Sequence, residues 1–179
     1  MNIWKLEFLV DDFDVFMTND WSIDDIRTYD GRHHAESWVP VKVRRLAPRK
    51  LLELGDAPGF YSHIPVFSER AVEQLQSLIG DTVELLPIGF KKETFYAVNV
   101  LSVLDCMDYE KSIYKTFSDG RIMRFIKYEF IREKVEGQHI FKLVDLPLSY
   151  AYVSDEFKSI VESNCLKGFR FECVWSDNL

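Results

Sequence analysis

The sequence predicts an α+β domain: a mostly antiparallel sheet with two Ser-capped helices packed on it. Two segments, residues 66–88 and 152–175, carry the helices, and each has the pattern of a strand, a helix that begins after a serine, and a second strand. A third observation is the Asp119-Gly120 pair, a hairpin signal between two runs of alternating residues. Several short strands and few helices are typical of the α+β class.

The first helix is predicted to begin after Ser68. A serine hydroxyl at this position accepts a hydrogen bond from a free N–H group of the first turn, and Glu69 places a negative charge at the positive end of the helix dipole. Gly80 is predicted to end the helix in the left-handed conformation. Residues 83–86 then form a short strand, which Pro87 ends or places at a sheet edge. Apolar residues recur at helical spacing at Val72, Leu75, Leu78 and Ile79.

The second helix repeats this pattern near the C-terminus. It is predicted to begin after Ser154 and to end at Lys167-Gly168. Residues 169–175 alternate between apolar and polar side chains, which predicts a closing strand. The apolar face of the helix contains Phe157, Ile160 and Val161.

Other segments have strand patterns. Residues 3–10 alternate as a half-buried strand, and residues 13–17 are its predicted hairpin partner. Residues 38–46 contain three alternating valines and a proline, which predicts an edge strand. Residues 95–104 are almost continuously apolar, as in a central strand buried on both faces. The middle third of the chain is therefore predicted to be an antiparallel meander.

Chain length and one loop-rich segment indicate the domain organisation. A chain of 179 residues suits a single domain that spans residues 1–179. Residues 55–65 contain two glycines and two prolines, a composition typical of a loop. This loop predicts a boundary, with residues 1–54 as a candidate N-terminal lobe and residues 55–179 as the main body.

Charge and cysteine content exclude several classes of protein. The formal net charge of −7 argues against nucleic-acid binding, because phosphate contacts need a basic surface. Cys106, Cys165 and Cys173 are spaced irregularly and fit neither a disulfide framework nor a zinc site. Acidic residues near the N-terminus do not fit a signal peptide, and no apolar run approaches the length of a membrane span. We therefore expect a cytoplasmic protein that uses no cofactor.

Charge is unevenly distributed in the N-terminal third. Residues 11–30 contain seven aspartates and one arginine, and a basic stretch follows at Lys42, Arg44, Arg45, Arg49 and Lys50. Either the two stretches pair loosely on the surface, which would stabilise little, or one of them faces a partner.

Four aromatic residues lie in polar or loop contexts: Trp21, Trp38, Phe60 and Tyr61. They either anchor an interface or fill a junction between lobes.

Candidate catalytic residues follow the predicted buried strand. Asp105 and Asp108 flank Cys106, and paired carboxylates can serve as acid and base or hold a metal. Short acidic turns after strands are common, however, and a cysteine nucleophile would need a base such as His63 or His139, both distant in sequence.

A histidine pair is the other candidate for chemistry. His33 and His34 are adjacent in the chain. Neighbouring side chains on an extended backbone point to opposite sides, so this pair predicts an exposed polar loop and not a metal site.

Several segments together resemble the immunity-eleven family, which comprises bacterial immunity proteins encoded within polymorphic toxin loci. The shared features include the helix openings SERA and SDEF, the tetrapeptide DCMD and the ending KGFRFECVW. The similarity covers roughly the last two thirds of the chain and the loop at residues 55–58, whereas the first fifty residues match much less. The segments that carry it are residues 66–88, 95–108, 140–143 and 152–175.

The resemblance implies a protein that binds and neutralises a cognate toxin domain without catalysis. It implies a protein partner, with neither nucleic acid nor membrane, and it transfers no active site. Two other functions remain open: a small hydrolase or transferase that uses Asp105 and Asp108, or a homo-oligomeric adaptor with an exposed apolar patch. Because the first fifty residues match least, we predict that they supply specificity, with a toxin interface at Asp11, Asp12, Asp14, Asp20, Trp21, Asp24 and Asp25.

Overall fold

The computed structural model describes residues 1–46, 52–91 and 93–177. Within these ranges the helices are α1 (Ile23–Arg27), a 3₁₀ helix (Ala35–Ser37), α2 (Glu69–Ile79), α3 (Arg132–Val135) and α4 (Asp155–Ser163). The strands are β1 (Asn2–Phe8), β2 (Phe16–Met17), β3 (Arg44–Arg45), β4 (Val66–Ser68), β5 (Val83–Phe90), β6 (Glu93–Val100), β7 (Val103–Leu104), β8 (Ile113–Thr116), β9 (Ile122–Lys127), β10 (Ile140–Leu143), β11 (Tyr152–Ser154) and β12 (Phe169–Ser176). The predicted α+β class, dominated by sheet, is confirmed.

The largest sheet has five strands in the order β12-β1-β11-β10-β7. β1 is antiparallel to both of its neighbours, with Ile3 opposite Ser154 on one side and Trp175 on the other. The predicted hairpin between β1 and residues 13–17 is therefore wrong, because strands from the C-terminal part of the chain occupy both edges of β1. β2 pairs instead with β3.

The position of β1 also bears on the predicted boundary near residue 54. β1 shares its sheet with four strands that all follow residue 100. The loop at residues 55–65 consequently does not separate β1 from the rest of the chain. Later parts of the N-terminal segment contribute Phe16, Tyr29, Val41 and Val43 to a buried cluster that includes Phe90 and Phe95.

A second sheet has three strands in the order β4-β6-β5. β6 is the central strand of this sheet, as predicted for the apolar run at residues 95–104, but it ends at Val100, and residues 103–104 form β7 at the edge of the five-stranded sheet. β5 lies at the edge, where the missing N–H of Pro87 is tolerated, but the strand continues to Phe90 and does not end at the proline. The predicted strand at residues 38–46 is reduced to β3 and a bridge from Lys42 to Gly89.

Helices α2 and α4 pack against each other. Ser68 Oγ accepts a hydrogen bond from Ala71 N–H (3.1 Å), and Ser154 Oγ accepts one from Phe157 N–H (3.2 Å). The two helices bury their apolar faces in one core, with Leu75 and Ile79 from α2 and Phe157 and Val161 from α4.

No helix in the described ranges is long and apolar enough to cross a membrane.

The glycines that follow these helices differ in conformation. Gly80 has φ of −52°, so the predicted left-handed end of α2 is wrong. After α4, Cys165 (φ 51°) and Gly168 (φ 92°) have positive φ. A Cβ at Gly168 would lie 2.7 Å from the backbone oxygen of Ala57, so this position needs glycine for space as well as for conformation.

Strands β8 and β9 form the predicted hairpin, with Gly120 in its turn at φ of 85°. The wider meander is wrong. β10 pairs antiparallel with β11 on one side and parallel with β7 on the other. A parallel pair needs a long crossover connection, and the hairpin and α3 lie within that connection.

Candidate functional site

A cleft of about 460 Å³ is formed by the start of α1 and the segment that follows the 3₁₀ helix. We call it the acidic cleft, defined by Asp20, Trp21, Asp25 and residues 37–41. Val39 is 75 % exposed there, whereas Val41 and Val43 are each only 8 % exposed. The surface thus combines two carboxylates with apolar and aromatic side chains.

Trp21 of the acidic cleft belongs to a cluster of aromatic rings. Its ring centroid lies 5.3 Å from that of Tyr29, 5.4 Å from Phe60, and 6.0 Å from both Trp38 and Tyr61. Trp21 is half-buried. The two interpretations of these aromatic residues are therefore compatible, because Trp21 packs against its neighbours and also lines the cleft.

Glu84 of β5 holds the segment that leads into the 3₁₀ helix. Its carboxylate accepts hydrogen bonds from His34 N–H (2.7 Å), Ala35 N–H (3.3 Å) and Asn99 Nδ2 (2.9 Å), and His33 Nδ1 lies 2.9 Å from Oε1. Burial raises the pKa of Glu84, but the hydrogen bonds from His34, Asn99 and His33 outweigh burial and place the pKa below its ordinary value. A charged Glu84 therefore fixes one wall of the acidic cleft on the second sheet.

The same wall has two more contacts with the sheet. Trp38 Nε1 donates to the backbone oxygen of Pro87 at 2.9 Å. Asn99 Nδ2 also donates to the backbone oxygen of Arg32 at 2.7 Å. These bonds satisfy polar groups that would otherwise be costly next to a packed surface.

Two buried side chains hold the region around α1. Lys142 Nζ donates to the backbone oxygen of Tyr29 at 2.6 Å, and the residue is fully buried. Burial lowers the pKa of Lys142 to about 8, partly offset by attraction to Asp30. His63 Nε2 lies 3.0 Å from the backbone oxygen of Ile26 and must donate, because a carbonyl only accepts; burial lowers the pKa of His63.

Two of the predicted interface aspartates are open to solvent beside Trp21. Asp20 is exposed, and its Oδ2 accepts a hydrogen bond from Lys42 N–H at 3.2 Å. The Asp24 side chain is 87 % exposed and lies 3.6 Å from Arg27 Nη1. Both carboxylates can therefore accept further hydrogen bonds from a partner.

Asp25 has a structural role in addition to its place in the acidic cleft. Ser22 caps α1 by accepting a hydrogen bond from Asp25 N–H (3.2 Å), and Asp25 Oδ2 accepts from Ser22 N–H (2.7 Å). Hydrogen bonds from the Ser22 hydroxyl and backbone lower the pKa of Asp25. This capping box makes α1 a third helix with a serine cap, which the sequence analysis missed although the Ser-x-x-Asp spacing signals it.

Asp14 lies inside the fold. It is 1 % exposed, and its Oδ2 is 2.7 Å from Arg45 Nη1. A carboxylate buried in this way does not face a partner, so Asp14 is removed from the predicted interface. Asp11 and Asp12 are exposed in the turn after β1. Arg49 and Lys50 of the predicted basic stretch lie outside the described residues.

The candidate catalytic residues after β7 have structural contacts. Cys106 is fully buried, and burial raises the pKa of its thiol to about 12. Asp108 accepts a hydrogen bond from Lys111 N–H (3.2 Å) and pairs with Lys111 Nζ (2.9 Å), interactions that lower the pKa of Asp108. Asp105 is 65 % exposed and lies 3.7 Å from Lys134 Nζ. A protonated, buried thiol is a poor nucleophile, and Asp108 stabilises a turn.

The histidine pair also packs locally. The His34 ring stacks on Tyr29 with centroids 4.7 Å apart, and His33 is 76 % exposed beside Glu84. Across the described ranges, no group of three or more His, Cys, Asp and Glu side chains is placed to hold a metal ion.

Comparison with protein-family models identifies the class as that of immunity proteins. Residues 83–175, just over half of the chain, match the model described as Immunity protein family (Imm11). The chain therefore belongs to the Imm11 family, and the resemblance found in its sequence is confirmed. A search of curated proteins found no match.

The matched segment and the acidic cleft are different parts of the chain. Glu84, Asn99 and Lys142 lie within the matched residues 83–175, whereas the cleft residues all precede residue 42. The matched segment thus supplies side chains that position the cleft without forming its lining.

The sequence does not mark Val39 or Glu84 as parts of this site. The alternation of Val39 with the next two valines predicts a strand, and the neighbouring Pro40 is the only local signal against a strand there. Glu84 lies on a strand with a purely structural pattern, and its partners in the cleft wall, His33 and His34, are about fifty residues away, so no local pattern identifies it.

Proposed function

We propose that this chain is an immunity protein of a bacterial polymorphic toxin system and that it neutralises a cognate toxin in the cytoplasm by binding it, without catalysis. Membership of the Imm11 family carries this proposal. We further propose that residues 1–179 act as one immunity-type domain, because β1 is enclosed between β11 and β12.

We place the toxin-facing surface at the acidic cleft and the adjoining aspartates. Asp20, Asp24 and Asp25 supply negative charge, Trp21 and Val39 supply apolar contact area, and Asp11 and Asp12 extend the charge along the chain. Interfaces depend on such anchors, with aromatic residues enriched among those that contribute most. The anchored cleft also reduces the loss of conformational freedom on binding, because its walls are already fixed by Glu84 and Lys142.

The carboxylates define the chemistry of the toxin surface that fits. A basic surface is expected where an enzyme binds nucleic acid, because phosphate contacts need cations. Asp20 and Asp24 would occupy the positions of phosphates on such a surface and block access of the substrate. Complementary charge also speeds the encounter and makes it sensitive to salt.

The proposal is tested with the toxin domain encoded beside the gene for this chain. The domain is expressed in cells with and without this protein, and the purified pair is titrated by calorimetry. We expect growth to be restored and one-to-one binding to be tight. Unrelieved toxicity together with no heat of binding would contradict the immunity function.

The interface is tested by removing charge while the size of each side chain is kept, and the amide oxygen of the Asp20→Asn side chain can still accept the hydrogen bond from Lys42 N–H. Asp20→Asn combined with Asp24→Asn, and separately Val39→Ser, should each weaken toxin binding at least tenfold, whereas Asp25 is left intact because it caps α1. Glu73→Gln combined with Asp81→Asn is the matched control, since both acids are exposed elsewhere on the surface. Equal affinities for the control and the cleft variants would place the interface elsewhere.

A further inference from the structure

The β8–β9 hairpin exposes an unusual amount of apolar surface. It forms a two-stranded sheet of its own. Tyr114 and Phe125 contact each other across the hairpin, with ring centroids 5.8 Å apart, and Phe125 belongs to a buried cluster with Phe130. Tyr114 itself is exposed, and so are other apolar residues of the hairpin: Ile113 is 54 % exposed, Phe117 47 %, Met123 42 % and Ile126 55 %. We call these four residues, with Lys115 and Arg124, the hairpin face.

The hairpin face is basic although the chain is acidic. Residues 111–127 contain five cations and one carboxylate, in a chain with a net charge of −7. Among the described residues, the ion pairs of this segment are Lys111–Asp108, Arg121–Asp119 and Lys127–Glu129. They leave Lys115 and Arg124 unpaired.

Lys115 and Arg124 lie directly opposite each other in the strand register. Like charges at opposed positions of an antiparallel pair destabilise it. Both residues are exposed, and in the part of the chain that the structure describes no third strand joins the hairpin to add hydrogen bonds. The fold gains nothing from this arrangement, whereas an acidic group placed between the two cations would relieve their repulsion.

We propose that the hairpin face is a second toxin-binding surface, which receives an acidic and partly apolar surface of the same toxin domain that the acidic cleft engages. This inference rests on the proposed function. A protein is favoured over a nucleic acid, since three of the four exposed apolar side chains, Ile113, Met123 and Ile126, offer no ring for base stacking and the net charge repels phosphate. The hairpin lies within residues 83–175, the segment that matches the Imm11 family. The toxin is held at two surfaces of opposite charge, which fixes its orientation as well as its affinity.

The test uses a variant that separates binding from folding. Lys115→Glu reverses one charge of the hairpin face and also replaces the repulsive pair with an attractive Glu–Arg pair, so the hairpin should be at least as stable as before. Its affinity for the toxin domain, measured by calorimetry, should fall at least tenfold, while the midpoint of urea unfolding is unchanged or raised. Ile113→Ser combined with Ile126→Ser should weaken binding to a similar extent. Lys91→Glu is the control, because it makes the same charge change at an exposed turn between β5 and β6.

The outcomes distinguish this inference from the proposed function. Wild-type affinity in both hairpin variants, with affinity lost in the Asp20→Asn, Asp24→Asn variant, would overturn the hairpin proposal and leave the immunity function intact. No binding of the toxin by the unaltered chain would contradict the proposed function itself. A dimer in sedimentation that Lys115→Glu converts to a monomer would assign the hairpin face to a second copy of the chain and would also overturn the proposal.

Discussion

Asp14 and Arg45 form an ion pair between the acidic and basic stretches of the N-terminal third, with Arg45 Nη1 2.7 Å from Asp14 Oδ2. The carboxylate is 1 % exposed and the guanidinium side chain 22 % exposed. This ion pair is therefore not the loose surface contact that the charges of the two stretches suggested. It ties the segment after β1 to β3, and the backbone of Asp14 is also hydrogen-bonded to Glu53 and Gly59.

Breaking this pair should destabilise the fold. Asp14→Asn keeps the size of the side chain but leaves Arg45 without its counter-charge, and we expect a loss of about 3 kcal/mol in the free energy of unfolding, the low end for a buried pair because Arg45 reaches solvent. Urea denaturation measures the loss. Asp24→Asn, which removes an exposed carboxylate, should change the free energy by less than about 0.5 kcal/mol. Equal effects of the two substitutions would show that burial of the Asp14–Arg45 pair has no consequence.

Removing Glu84 should affect both stability and binding. Glu84→Ala leaves the N–H groups of His34 and Ala35 and the amide of Asn99 without their acceptor, which should cost about 1–3 kcal/mol in the free energy of unfolding. Toxin affinity should also fall, because the wall of the acidic cleft loses its attachment to β5. Chemical denaturation and calorimetry give the two readouts. The exposed Glu73→Ala on α2 should alter neither, and a Glu84→Ala protein with full affinity would show that the cleft wall need not be fixed.

The buried amine of Lys142 should make stability depend on pH. Its pKa is lowered from 10.5 to about 8 in the folded chain, so between these values the unfolded chain binds more protons and the free energy of unfolding rises with pH. Relative to Lys142→Met, the unaltered chain should gain about 2 kcal/mol between about pH 7.5 and 9.5. Urea unfolding of both proteins across this range is the measurement. If the difference in the free energy of unfolding between the two proteins stayed constant with pH, the Lys142 amine would not titrate in this range.

Gly168 should be intolerant of a side chain for two separable reasons. Its φ of 92° is unfavourable for other residues, and a Cβ would lie 2.7 Å from the backbone oxygen of Ala57. Gly120 has a similar φ of 85°, but a Cβ added there would have no atom of the described residues within 4 Å. Gly120→Ala should therefore cost about 1–2 kcal/mol from conformation alone, and Gly168→Ala clearly more, as measured by thermal or urea unfolding. Equal costs would mean that the backbone at Ala57 moves aside freely.

Local chemistry made much of the fold predictable. Ser68 and Ser154 lie where a hydroxyl satisfies the first turn of a helix, and Asp119-Gly120 specifies a tight turn whatever surrounds it. These signals depend on only a few neighbouring residues, so they can be recognised in the sequence. The partner of β1 was mistaken for the same reason, because a hairpin with residues 13–17 was the nearest pairing, whereas the observed partners begin at Tyr152.

The site was only partly predictable. Asp20, Trp21 and Asp25 do line one cleft, because they are close in the chain, and Asp24 is exposed in the same helix as Asp25. Asp14 is also close to these residues in the chain, but it is buried, where it pairs with Arg45, about thirty residues away. Trp38 and Val39 join the site only through the attachment of their segment to β5.

The sequence by itself determined the class of the fold, the positions of α2, α4 and the β8–β9 hairpin, and membership of the Imm11 family. Helix capping, turn formation and the shared motifs each depend on short stretches of residues. Only the tertiary structure decided which aspartates face solvent and which surfaces are open to a partner. That choice depends on contacts such as the one from Lys142 to Tyr29, which lie 113 residues apart in the chain, and burial and charge pairing at that separation leave no local pattern.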